Sequence, residues 1–312
     1  MNYFDLHCDT MVACEAQDKP LLSNNFHVNI EKAKHLDVYV QCFAVFVADS
    51  VPEESAFPFF KRVAQRLIKE CEQNHGYLSL CQNQGDLEIC KTEKKIGAVL
   101  TVENSLALSG ELSNITEMAK LGVKMMTLTW NGDNKIGTGA GTSAKTGLTN
   151  FGRKALALME EAGIIADISH ASDWLFEDVA SFSQKPIVAS HSNARKICSH
   201  RRNLTDEQFK VICEKNGLVG LNFYRGFLRE REDQANVYDI LRHAEHFLSL
   251  GGEDVLAMGS DFDGAEMPNG VNGLESVENL YELFLKENYN ESLVKKIFFE
   301  NAESFFKRNN LL

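Results

Sequence analysis

Tyr3-Phe4-Asp5-Leu6-His7-Cys8-Asp9 opens the chain as an apolar strand that ends in a His-x-Asp pair. Side chains two apart in a β-strand share a face, so His7 and Asp9 project together from the end of this one. Cys8, between them, points the other way and packs behind the wall. A neutral imidazole beside a carboxylate is half of a divalent-metal site. Alone, the pair is equally compatible with an ordinary half-buried histidine and a helix-capping aspartate, so the rest of the chain decides.

Working outward, eight strand-like runs alternate with helical patterns: 3–9, Val38–Val47, Ile96–Glu103, Val123–Trp130, Ile164–His170, Pro186–His191, Leu218–Tyr224 and Val255–Phe262. Such alternation predicts βα units on a parallel sheet, and eight closes a (β/α)8 TIM-type barrel. Residues 57–75 and 115–121 have apolar positions at helical spacing. A third helix opens at Thr149 and stops at Gly163, and Thr205-Asp206-Glu207-Gln208 is a capping-box start for a fourth that Gly217 closes. Asn131–Leu148, rich in Gly, Thr, Asn and Ala, predicts a loop on the strand-exit face, where loops shape substrate pockets. No internal repeat or linker interrupts the chain, which predicts one domain over 1–312 with a helical tail at 291–308.

Barrel active sites lie at the C-terminal ends of the strands. Read in order, those ends carry His7 and Asp9, then Glu103, His170, His191 and Asp261. The other six histidines (27, 35, 75, 200, 243, 246) fall in loops or helices. Three histidines and three carboxylates exceed what one zinc needs, so the count points to a binuclear site. In it, His7 and Asp9 hold one ion, His170 and His191 the other, and Glu103 bridges; no lysine stands at the fourth strand's exit to bridge instead, Lys124 lying at its other end. A water held by both ions is acidic enough to attack as hydroxide near neutral pH, with Asp261 taking its proton and passing it to the leaving amine.

A net charge of −12 argues against a nucleic-acid surface, because phosphate binding needs clustered Lys and Arg. No apolar run approaches the roughly 20 residues of a membrane span. Eight scattered cysteines without a C-x-x-C pair, and a first strand beginning at residue 3, predict buried free thiols in a cytoplasmic protein.

Several stretches together resemble the membrane dipeptidase (renal dipeptidase) family of zinc metallopeptidases, within the amidohydrolase-like barrels. They are Asp5–Asp9, Thr127-Leu128-Thr129-Trp130-Asn131, Gly147–Thr149 with Phe151-Gly152-Arg153, Asp167-Ile168-Ser169-His170, Ser190-His191-Ser192 with Arg201-Arg202-Asn203, Asn222-Phe223-Tyr224, and Gly259–Gly264. The resemblance implies a two-zinc enzyme cleaving free dipeptides, with tolerance for a D-residue at the C-terminal position. Carried over by position, it gives His7, Asp9, Glu103, His170 and His191 as ligands and Asp261 as acid/base. It also puts Arg202 on the substrate's terminal carboxylate, a bidentate pairing that restricts the enzyme to free ends. Tyr224 is a candidate pocket wall. Trp130 stands where animal members carry a histidine facing the substrate carbonyl; indole offers one N–H and no charge, which leaves Asn131 as a candidate substitute donor and two alternatives open, chemistry that leans on the metals alone or a differently shaped pocket with a different substrate. The family also favours a homodimer. Two other readings stay open: a different amidohydrolase acting on a cyclic amide, lactone or phosphoester, and a non-catalytic metal- or peptide-binding protein.

Overall fold

The computed structural model describes residues 1–312. Nine parallel strands form: β1 (Asn2–Cys8), β2 (Val38–Phe46), β3 (Leu78–Leu80), β4 (Ile96–Glu103), β5 (Met125–Thr127), β6 (Ile165–Asp167), β7 (Val188–Ala189), β8 (Leu218–Leu221) and β9 (Leu256–Met258). Eight of them close a barrel in the order β1-β2-β4-β5-β6-β7-β8-β9, with Asp5 of β1 paired to Met258 of β9. Helices occupy the connections, which is the (β/α)8 architecture the alternating runs predict.

The ninth strand, β3, lies outside that count. It pairs with the first half of β4 (Leu78 opposite Ile96), while β5 takes the second half (Thr101 opposite Met125). Leu-Ser-Leu is too short for a period-2 signal, so it escapes a sequence reading. The helix expected at 57–75 starts one turn earlier and spans Glu53–Gln73, running through Pro58, which cannot donate the hydrogen bond of that position.

Two cores follow from strand alternation. Phe4, Leu6, Val40, Cys42, Val99 and Met125 fill the barrel, while Tyr3, Cys8 and Phe43 join the layer between strands and helices. The C-terminal tail, expected as helix at 291–308, is helical with a π-helical turn at Lys296–Glu300. Phe299, Phe305, Phe306 and Leu312 belong to the interior cluster, and Phe4 lies 5.1 Å from Phe306 and 6.1 Å from Phe299 between ring centroids. The tail thus plugs the N-terminal end, leaving the other end for chemistry. Truncating one such buried phenylalanine to alanine costs about 3–5 kcal/mol.

A bulge in β1 sets the site. Asp5 pairs with Gln41 and Cys8 with Phe43, so three steps along β1 match two along β2. Strict alternation puts Leu6 and His7 on opposite faces; the extra residue lets Leu6 fill the barrel and His7 turn into its mouth.

Candidate active site

At the strand exits, Glu103 stands between two groups of side chains. Its Oε1 lies 2.9 Å from His170 Nε2 and 3.9 Å from His191 Nε2, and its Oε2 lies 3.3 Å from His7 Nε2. His7 Nε2 is also 3.4 Å from Asp9 Oδ2 and 3.8 Å from Asp261 Oδ1, while His170 and His191 bring their Nε2 atoms within 3.0 Å of each other. All six residues named from the strand ends therefore converge, and all but Asp261 are buried. His170 and Asp261 both have left-handed backbone (φ 70° and 63°), a costly conformation for non-glycine residues that clusters at functional sites.

The electrostatics call for a cation. Burial opposes charge on His7, but the Glu103 and Asp9 carboxylates outweigh it and hold its pKa well above the ordinary value. Burial, reinforced by repulsion from Asp9, raises Glu103 against the pull of His7, and burial likewise raises Asp261. Burial drives His170 and His191 far down, so both imidazoles are neutral with free lone pairs. His7 Nε2 and Asp9 Oδ1 are buried without a hydrogen-bond partner. His7 with Glu103 and His191, and His7 with Asp9 and Asp261, each place three ligand atoms within 4.8 Å of one another. Two neutral imidazoles, crowded carboxylates and buried ligand atoms without partners suit divalent ions with nitrogen and oxygen preference.

Around this cluster lies a scaffold that the sequence reading did not assign. Asp167 accepts Ser169 N, Ser190 N, Ser190 Oγ and Thr127 Oγ1, and Ser190 Oγ lies 2.7 Å from His191 Nδ1. Asp5, which burial pushes up to about 6, accepts Ser260 N, Ser260 Oγ and His7 N. Asn222 donates its amide to Asp261 Oδ2 at 3.0 Å and takes the N–H of Tyr224. The available signal was a serine directly before a strand-end residue, in Ser190-His191 and in Ser260-Asp261.

Above the cluster opens a cavity of about 640 Å³, bordered by Trp130, Asn131, Arg202 and Tyr224, the four residues expected to meet substrate. Arg202 is buried; its guanidinium lies 5.2 Å from the Phe227 ring centroid, its Nε has no partner, and its other contacts are long ones to Ser192 Oγ (3.5 Å) and His191 O (3.4 Å). Trp130 packs against Phe46 (centroids 5.1 Å apart), and Tyr224 stands edge-on to Phe227. His200, placed by sequence among the histidines outside the site, also reaches the cavity, stacking near Phe227 and accepting Arg202 N at 3.2 Å. It arrives because residues 193–204 fold back, with Leu204 N on Asn193 O.

Comparison with known proteins identifies the family. Residues 1–310 match the sequence profile of the membrane dipeptidase family, peptidase family M19. The chain is 31% identical over 235 residues to an uncharacterized protein from the pqqA 5′ region of Klebsiella pneumoniae, covering 72% of this chain and 87% of that one. It is 28% identical over 277 residues to an uncharacterized dipeptidase of Schizosaccharomyces pombe, covering 83% and 66% respectively. Among solved structures, the dipeptidase AC of family M19 superposes with a TM-score of 0.93 at 27% identity over 100% of this chain and 99% of that one. A metallopeptidase of Rhodobacter sphaeroides bound to a phosphinate mimic of the dipeptide L-Ala-D-Ala superposes at 0.92, with 26% identity over 99% of each chain. The chain belongs to the membrane dipeptidase family of metallopeptidases, although none of its helices is long and apolar enough to cross a membrane.

Proposed function

We propose that this dipeptidase acts on free dipeptides through two divalent ions, zinc first among them, one held by His7 and Asp9, the other by His170 and His191, with Glu103 bridging. Glu103 suits the bridge because its two oxygens face the two groups separately. Bound there, such ions polarise the scissile carbonyl and acidify the attacking water.

The chain's own residues supply the rest. Asp261, held through Oδ2 by Asn222, has Oδ1 facing the cluster, where it accepts the proton of the attacking water and returns it to the departing amine. The observation that carries the substrate reading is Arg202, a buried guanidinium with no carboxylate partner, bordering the cavity over the cluster. A buried charge without a counter-ion is costly, and a dipeptide's terminal carboxylate removes that cost by bidentate pairing. A D-residue at the C-terminal position is supported by the ligand of the Rhodobacter sphaeroides relative. The free thiols favour a reducing compartment such as the cytoplasm.

Steady-state hydrolysis of a dipeptide and of its C-terminal amide tests both parts. The free acid is cleaved, a chelator abolishes cleavage, Zn²⁺ restores it, and the amide is a poor substrate. Equal turnover of acid and amide removes Arg202 from carboxylate recognition; activity that survives complete metal removal overturns the proposal.

A further inference from the structure

Three side chains of the cavity meet on the ring of Phe227, a buried residue of the short helix Arg225–Leu228 that follows β8. The His200 ring centroid lies 4.6 Å from it, that of Tyr224 4.7 Å, and the Arg202 guanidinium 5.2 Å. Buried Asn203 fixes this arrangement. Its Nδ2 donates to Cys198 O (2.9 Å) and to Phe227 O (2.8 Å), and its backbone N–H donates to His200 O (2.9 Å). The turn that carries His200 and the helix that carries Phe227 are therefore tied to each other, and His200 stays beside Arg202.

The backbone decides what the His200 ring offers. Nδ1 accepts Arg202 N at 3.2 Å, so the neutral ring carries its proton on Nε2. Burial, with the Arg202 and Arg201 charges next, holds its pKa below the ordinary value against the pull of Glu230, so the ring is neutral near pH 7. The Nε2–H has no partner in the protein, and the ring borders the cavity. Neighbouring cations are engaged elsewhere: Arg195 pairs with Asp173, and Arg201 donates to Ala140 O and Thr142 O. Of the basic residues between 195 and 202, His200 and Arg202 alone border the cavity.

A carboxylate bound bidentately by a guanidinium uses one lone pair on each oxygen, and the others stay open to a further donor. A terminal amide has one oxygen and an NH2. Against Arg202 alone it pairs through the oxygen and turns the NH2 aside; a second N–H at the same end leaves the NH2 facing a donor in more orientations.

We propose that His200 is a second carboxylate contact of this site: its Nε2–H donates to the C-terminal carboxylate of the dipeptide beside Arg202, and so sets how strictly a free carboxyl end is required. This rests on the dipeptide reading above and adds a specificity-determining residue to it.

Two variants separate the nitrogens of the ring. In His200→Asn the amide oxygen takes the place of Nδ1 and accepts Arg202 N, as in an Asx turn, while the outer donor is lost. In His200→Gln the amide NH2 takes the place of Nε2 and the inner acceptor is lost. The kcat/KM ratio of a dipeptide over its C-terminal amide falls roughly 10- to 100-fold in His200→Asn, the range for losing a hydrogen bond to a charged group. That fall lies in KM for the free acid, because the carboxylate is held alike before and during reaction. His200→Gln recovers most of it. The reverse order, with Asn like wild type and Gln impaired, makes His200 a support for the Arg202 backbone and overturns the proposal, as does a loss confined to kcat.

A second measurement needs no turnover. In zinc-loaded protein labelled with 15N-histidine, the Nε2 resonance of His200, assigned by its absence from His200→Asn, shifts on adding a phosphinate mimic of Ala-Ala and not on adding the terminal amide of that mimic. An unmoved resonance, or equal shifts with both, overturns the contact. Cleavage of dipeptides with an unaltered acid-to-amide ratio in His200→Asn sinks this proposal alone, whereas absence of any dipeptide cleavage by the wild type sinks the dipeptidase reading.

Discussion

Behind His7 stands Asp5, and behind His191 stands Asp167. Each buried aspartate accepts an N–H from its own strand (His7 at 3.3 Å, Ser169 at 2.9 Å) and an N–H from the next strand's exit (Ser260 at 2.8 Å, Ser190 at 3.0 Å). Each also accepts that same serine's hydroxyl at 2.5 Å. In both cases the serine directly precedes a cluster residue, Asp261 in one half and His191 in the other. The difference lies beyond the serine. Ser190 Oγ reaches His191 Nδ1 at 2.7 Å, so imidazole, hydroxyl and carboxylate form a continuous relay. Ser260 Oγ reaches backbone alone, His7 O at 3.3 Å and Phe262 N at 3.2 Å, and Asp261 is held by Asn222 instead. One device closes the barrel mouth twice, but only where the cluster residue is an imidazole does it also select a tautomer.

The comparison breaks most sharply at the two residues that follow the serines. Asp261→Asn should keep its hydrogen bond to Asn222 and its metal content yet lose about 10²- to 10⁴-fold in kcat, the range for a general acid/base. His191→Ala should instead lose bound metal. If both variants fail in metal retention alone, Asp261 has no role in proton transfer. Next in size is the pair behind them. In Asp167→Asn an amide NH2 opposes the Ser190 hydroxyl and breaks the relay, which should weaken metal binding by roughly 10- to 100-fold. Asp5→Asn, with no ring at the end of its chain, should leave metal affinity nearer wild type. Competition against a chromophoric chelator reads both, and equal losses would erase the distinction between the two halves.

What was legible in the sequence followed local rules. His7, Asp9, Glu103, His170, His191 and Asp261 each close an apolar run, and eight such runs announce a barrel whose exits carry chemistry. Asp5, Asp167, Ser190 and Ser260 were quoted only as parts of motifs, because their task depends on which strands become neighbours and in what register. Asp5 meets Ser260 across 255 residues. The β1 bulge left no trace either, since alternation alone divides Leu6 from His7. His200 reads as a loop histidine and reaches the cavity through a backbone fold-back that has no periodicity to detect.

A third buried histidine sharpens the contrast at the smallest scale. His243 lies in the helix Val237–Ser249, where Nδ1 accepts Ala194 N and Nε2 donates to Leu228 O, both at 3.0 Å, so each ring nitrogen ends on backbone with no serine or aspartate relay. Burial pushes its pKa down to about 4, below the unfolded value. Its contribution to stability is therefore complete above the ordinary histidine range and declines as pH falls toward 4, because the unfolded chain takes up a proton that the folded ring refuses. Between pH 7 and 5 this amounts to roughly 1–2 kcal/mol. His243→Gln has no ring to protonate, so urea midpoints of the variant should fall less than those of the wild type across that interval, with the strand-exit cluster untouched. Parallel slopes for the two proteins would mean that His243 titrates in the folded state as it does in the unfolded chain. Burial without a carboxylate relay would then not be enough to keep an imidazole neutral in this fold.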